Sequence, residues 1–153
     1  MMEEKEKAWK TVSSKYLFRR PWLTVRCEDM LLPNGNHIPE YYILEYPDWV
    51  NTIAITKDGK FVFVRQYRPG LGRTSYELCA GVCDKEDASP LVSAQRELWE
   101  ETGYGKGNWQ EYMVISANPS THTNLTHCFL ATDVEPIDHQ HLEDTEDLSV
   151  HLL

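Results

Sequence analysis

The chain has 153 residues, 41% hydrophobic and 25% charged, the balance of a folded globular protein rather than a disordered or fibrous one. Fifteen Lys and Arg stand against 24 Asp and Glu, a net charge of −9, and after Lys106 there are eight acids and no Lys or Arg. These figures leave no basic stripe for nucleic acid, no apolar run of about 20 residues for a membrane span and no apolar signal core in residues 1–7, so a cytoplasmic protein is expected.

Residues 1–15 are charged with weak periodicity and are expected to fray or to pack on a partner. From Tyr16 onward, short apolar runs broken by turn residues are the pattern of a sheet. Residues 22–27 alternate, Pro33-Asn34-Gly35-Asn36 marks a turn, and residues 40–46 resume the alternation. Residues 50–56 and 61–67 flank Lys57-Asp58-Gly59-Lys60 and read as a hairpin. Pro69-Gly70-Leu71-Gly72 is a loop, and residues 75–79 form one further short strand. A helix is predicted over about 90–102, with Ser89 as N-cap, Pro90 at its first position and Gly103 as a left-handed stop. Strands at 111–115 and 127–131 enclose a polar loop, an acidic loop covers 133–147, and 148–153 is a last apolar run. One α+β domain over residues 1–153 is the expected organisation.

The helix breaks its own rules. At about 100° per residue, Glu97, Glu100 and Glu101 form one stripe beside the apolar stripe of Leu91, Ala94 and Leu98. Like charges at these spacings repel, and Glu100 and Glu101 stand at the negative end of the helix dipole. Hard oxygen donors gathered on one rigid element suit Mg²⁺, with Mn²⁺ as the alternative. The bland reading is a solvated face with Arg96 paired to Glu100. The cluster Arg65, Arg68 and Arg73, inside an acidic chain, suits a small phosphorylated ligand carried with a divalent metal. The four cysteines form no CxxC pair and read as buried thiols. The six histidines, His139-Gln140-His141 included, read as solvated or packed.

Arg96-Glu97-Leu98-Trp99-Glu100-Glu101-Thr102-Gly103-Tyr104 resembles the second half of the Nudix box, and Glu77-Leu78-Cys79-Ala80-Gly81 resembles its E-L-P-A-G entry with Cys for Pro. Between Gly81 and Arg96 the chain departs from the box. Eight residues rather than seven precede Arg96, and Asp87, or the offset Glu86, stands for the first glutamate. Val64-Arg65-Gln66-Tyr67-Arg68 is similar to the strand end of ADP-ribose and nucleoside-diphosphate-sugar pyrophosphatases, and Pro119, 15 residues past Tyr104, is close to the proline that marks ADP-ribose hydrolysers.

The resemblance implies an α/β/α sandwich with a mixed sheet, lacking the C-terminal helix with which relatives continue. It implies a pyrophosphohydrolase that cleaves ADP-ribose or a related nucleoside-diphosphate sugar to a nucleoside monophosphate and a sugar phosphate. The rivals are a nucleoside triphosphate-cleaning enzyme and a non-catalytic ligand sensor. By the same resemblance Glu97 and Glu101 are the main metal ligands, with Glu100 auxiliary and the Ala80 carbonyl contributing. Arg68, with Arg65 beside it, binds the diphosphate. Glu77 holds metal or substrate, or pairs with a neighbouring arginine. Glu143 or Glu146 is the general base, with Glu100 in reserve. Trp22, Tyr16 or Phe18 stacks the base in a homodimer that exchanges N-terminal strands.

Overall fold

A computed structural model describes residues 7–153, which form eleven strands and one helix in two compact units. One unit holds the chain up to Tyr46 together with Ser116–Asn124; the other holds Pro47–Ile115 and Leu125–Leu153.

In the first unit β1 (Lys10–Arg20), β2 (Leu23–Leu31) and β3 (His37–Glu45) make an antiparallel sheet in that order. Residues 10–15, part of the segment expected to fray or to pack on a partner, lie in β1 of this sheet. Their ladder to β2 runs from Lys10 opposite Leu31 to Arg20 opposite Leu23. Backbone pairing, which is blind to side-chain polarity, holds a segment that hydrophobic alternation could not reveal. Residues 1–6 of that expected segment lie outside the described residues. Within the same unit Leu44 exchanges backbone hydrogen bonds with Thr121 and Thr123, and the Tyr41 hydroxyl donates to the Ser120 carbonyl, which ties down the loop carrying Pro119.

The second unit is built on β4 (Trp49–Thr56), β5 (Phe61–Arg68), β6 (Arg73–Glu77), β7 (Cys79–Val82), β8 (Tyr104–Gly105), β9 (Asn108–Ile115), β10 (Thr126–Pro136) and β11 (Leu148–Leu152), with α1 (Pro90–Thr102). The central order is β11-β5-β4-β10-β8, with β6 on β5, β7 on β4 and β9 on β10. The β4–β10 pair is parallel and the other pairings of this sheet are antiparallel, giving the expected mixed α+β sheet. The single strand expected over 75–79 is two strands that part at Leu78 and pair with different neighbours, β5 and β4.

The helix has the bounds its end signals predict. Ser89 Oγ accepts from the Val92 N–H at 3.4 Å, and Gly103 closes the helix at φ 73° with its N–H on the Trp99 carbonyl. Ala94 and Leu98 are fully buried, Leu98 among Ala54, Val62, Ala131 and Val134 and Ala94 with Val50 and Phe129. Leu91, expected on the same stripe, is exposed, while Ser93, Glu101 and Thr102 are buried in its stead. The buried face thus takes in part of the carboxylate stripe, and Leu91, in the first turn of the helix, lies outside it. Truncating Leu98 to Ala is expected to cost about 2–5 kcal/mol, the range for a core leucine.

The segment after β10 caps the helix. The Ile137 and Asp138 N–H groups donate to the Gly103 carbonyl at 2.9 and 3.1 Å, and the His141 N–H donates to the Glu100 carbonyl at 2.8 Å. Gln140 Nε2 donates to the Glu101 carbonyl at 2.7 Å. Carbonyls that a helix end leaves without partners are thereby satisfied by one loop. Gly103 is required twice over: its φ is left-handed, and a Cβ there would collide with the Asp138 carbonyl. Gly103→Ala is expected to lower unfolding free energy by at least about 1–2 kcal/mol, the cost of a left-handed non-glycine residue. A urea-unfolding midpoint equal to the parent's would contradict this.

Candidate metal and phosphate site

Glu101 is the electrostatic centre of the helix. It is 5% exposed, and burial pushes its carboxyl up to about 7 from an ordinary 4.5. Hydrogen bonds from the Cys79 thiol and the Ala80 N–H, the latter at 3.2 Å, oppose that rise, while the charges of Glu97 and Glu146 add to it. No ion pair reaches Glu101 among the described residues. Glu97 is raised for the same first reason, desolvation, and then by Glu100 and Glu146. Gly81 lies so close to the Glu97 carboxylate that a Cβ on it would overlap that group. The glycine of the entry motif is therefore a matter of space.

Arg96 organises the remaining acids. Its Nη1 donates to Glu97 Oε1 at 3.0 Å and to Glu100 Oε2 at 2.9 Å, its Nε to Asp87 Oδ2 at 3.1 Å and its Nη2 to the Val82 carbonyl at 3.0 Å. Asp84 completes the set at 3.2 Å. Burial works against the guanidinium's charge, but these acids more than offset it and hold it above its ordinary range. Asp87, rather than Glu86, thus takes the structural part of the missing box glutamate. The bland pairing of Arg96 with Glu100 is present, and Arg96 holds Glu97 too. As a result the three helix glutamates do not converge. Among the described residues, the one group of three ligating side chains with ligand atoms within 4.8 Å of one another is Asp138, His139 and His141.

Arg65 and Arg68 part company. Side chains alternate along a strand, so residues three apart face opposite ways. Val62, Val64, Gln66 and Arg68 share the more buried face of β5, and Arg65 stands on the other, exposed, over the Tyr76 ring at 5.9 Å. Arg73 is Arg68's register partner on β6. Arg68 Nε lies 3.0 and 2.9 Å from the two Glu77 oxygens and its Nη2 lies 2.7 Å from Oε2; Ser75 and Gln66 also donate to Glu77. Of the alternatives for Glu77, the arginine pair is the one formed. It holds the Glu77 carboxyl below the usual range, and both Glu77 and Glu101 keep Arg68 charged.

Glu143 and Glu146 close a turn of their own: the Glu143 N–H donates to Glu146 Oε2 at 2.9 Å and the Glu146 N–H to the Glu143 carbonyl at 3.0 Å. Both are exposed, and the charge of Glu146 is among those that raise Glu97 and Glu101. Trp22 and Pro119 belong to the first unit. Trp22 is 78% exposed in the turn between β1 and β2, and Pro119 lies on the loop between β9 and β10. Sequence reasoning missed the Cys79 thiol on Glu101 and the helix-capping loop at 137–141. The Cys-for-Pro departure was the available signal for the first; the second had none.

Two family descriptions match the chain in succession: "Nucleoside diphosphate sugar hydrolase N-terminal domain" over residues 9–44 and "NUDIX domain" over residues 46–152. The chain belongs to the Nudix family. It is 30% identical over 138 residues to an ADP-ribose pyrophosphatase of Bacillus subtilis, covering 90% of this chain and 74% of that protein. It is also 33% identical over 122 residues to a methanol dehydrogenase activator of Bacillus methanolicus, covering 80% of this chain and 65% of that one. A solved structure described as an ADP compounds hydrolase superposes with a TM-score of 0.81 over 94% of this chain and 77% of its own, at 22% identity, a likeness of fold. The architecture is accordingly the Nudix α/β/α sandwich, and the chain is a Nudix pyrophosphohydrolase. Nudix hydrolases generally use divalent metals. No helix among the described residues is long and apolar enough to cross a membrane.

The raised carboxyl makes stability depend on pH in a definite direction. Between 4.5 and about 7 the folded chain keeps a proton on Glu101 that the unfolded chain has released. Stability from this group is therefore greatest below 4.5, falls as the pH rises toward about 7, and is level above. Glu101→Gln is expected to flatten that fall when thermal unfolding is followed across the window in chelator. An unaltered slope in the variant would mean that Glu101 ionises normally.

Proposed function

We propose that the chain is a Mg²⁺-dependent pyrophosphohydrolase, with Mn²⁺ able to substitute, acting on ADP-ribose or a related nucleoside-diphosphate sugar. The observation that carries this reading is the buried Glu101 carboxyl, pushed up to about 7, with Glu97 beside it and the Arg68 charge within its reach. A pair of desolvated carboxylates costs stability unless a cation neutralises it, and an all-oxygen donor set suits a hard one. Glu97 and Glu101 would hold the ion, with the Ala80 carbonyl and Glu100 completing its protein ligands. When bound, the ion neutralises phosphate charge and makes water more acidic.

The chain's own groups supply the rest. Arg68 is oriented by Glu77 through Nε and Nη2, which leaves Nη1 out of that pair and available to a phosphate oxygen. Arg65, on the opposite face of β5, is assigned a lesser part in binding. Glu146 is preferred over Glu143 as the acceptor of the water's proton, because its charge reaches both helix ligands. Trp22 offers an open aromatic face for a nucleobase, and Pro119 shapes the loop of the same unit. A homodimer belongs to the proposal: β1 is exposed along its whole length and carries Val12, Tyr16 and Phe18.

The substrate is tested by product analysis with ADP-ribose, a panel of nucleotide sugars and nucleoside triphosphates. A nucleoside monophosphate and a sugar phosphate are expected. Pyrophosphate from a triphosphate would favour the cleaning enzyme, and binding without any product would favour the sensor. Glu101→Gln is expected to remove metal-dependent turnover by several orders of magnitude in a folded protein. Glu146→Gln should slow single turnover by roughly 10²–10⁴-fold, the range for loss of a general base, and Glu143→Gln should do much less. Equal effects of the two would undo the assignment. Arg68→Ala should chiefly raise KM, and Arg68→Lys should recover only part, since an ammonium lacks the guanidinium fork.

A further inference from the structure

We propose that Asp138, His139 and His141 form a binding site for a borderline divalent ion of the Zn²⁺ type, distinct from the glutamates of α1. The three side chains each offer a ligand atom, and these atoms lie within 4.8 Å of one another. Asp138 stands between the two rings, with Oδ1 2.7 Å from His139 Nδ1 and Oδ2 2.9 Å from His141 Nε2. Tetrahedral zinc with bonds of about 2.0–2.1 Å sets its ligand atoms roughly 3.3 Å apart, so small side-chain rotations would open the cluster around an ion. Imidazole nitrogen with one carboxylate favours Zn²⁺ over Mg²⁺, the reverse of the all-oxygen set on the helix.

The backbone beneath the cluster is already fixed. The Asp138 N–H is bonded to the Gly103 carbonyl and the His141 N–H to the Glu100 carbonyl. Trp99 packs on the His141 ring, with centroids 4.2 Å apart and planes inclined by 33°, and the two histidine rings are 4.3 Å apart. An ion would therefore order few groups on binding, which is the advantage of a preorganised site. The His139 side chain is 80% exposed, leaving an open side for the ion to enter and for water to complete its coordination. Three protein ligands with one open position is a coordination that zinc commonly adopts.

The experiment is calorimetric titration of Zn²⁺ into the full chain in millimolar Mg²⁺, which occupies the hard-oxygen donors, with Co²⁺ absorption as a second readout of nitrogen coordination. One Zn²⁺ per chain is expected, with tetrahedral Co²⁺ bands. His139→Ala, whose side chain is 80% exposed, should bind at least about tenfold more weakly with little change in unfolding temperature in chelator, and His141→Ala and Asp138→Asn should follow. The Glu97→Gln/Glu101→Gln double variant should bind Zn²⁺ as the parent does. Absence of Zn²⁺ binding would overturn the proposal. So would binding that survives His139→Ala and His141→Ala but is lost in the double glutamate variant.

Discussion

Everything near α1 follows from one carboxylate held out of water. An ionised group at the Glu101 position faces a desolvation cost of several kcal/mol unless something compensates it. The folded chain offers three partial remedies: the Cys79 thiol, the Ala80 N–H and a carboxyl pushed up to about 7, so that a proton can stay. Two of these remedies come from adjacent residues of one strand. Cys79 and Ala80 are delivered by β7, whose pairing to β4 brings the entry motif against the helix. Glu101 itself is delivered by α1, whose buried face also holds Ser93, Ala94, Leu98 and Thr102.

Arg96 answers a related problem in the opposite way. Glu97 and Glu100 are satisfied by a cation the protein carries itself, and Asp84 and Asp87 brace that cation from the loop before the helix. The extra residue in that loop does not prevent Asp87 from reaching Arg96. A shorter acid at a position shifted by one residue meets the long guanidinium where a glutamate would in the usual spacing. A divalent ion on Glu97 would compete with Arg96 for the same oxygens.

How far the sequence was legible depended on whether a signal was local. The helix ends were, because Ser89, Pro90 and Gly103 act through their own backbone geometry. So was the hairpin at Asp58-Gly59, where Gly59 has φ 82°. What escaped was set by tertiary pairing. The polar strand β1 exists because β2 lies beside it, and β6 and β7 separate because they pair with different neighbours. Arg65 and Arg68 looked like one cluster in the linear sequence, yet strand alternation divides them. His139 and His141 have a paired spacing, but it falls in a polar stretch with no apolar pattern to mark a built site, so they read as solvated or packed. The loop that joins them to Asp138 is shaped by the helix end it caps.

That capping loop ties the end of α1 to the acidic turn that follows it. It accepts its shape from the Glu100, Glu101 and Gly103 carbonyls, and it leads directly into the turn that holds Glu146. Glu100 and Glu101 each use their carbonyl to fix this loop while their carboxylates face the site or Arg96. Backbone and side chain of the same residues thus position two carboxylates and, through the loop, the acid whose charge acts on Glu101. A shift in the last turn of α1 would move both together. The left-handed Gly103 is what allows the chain to turn there.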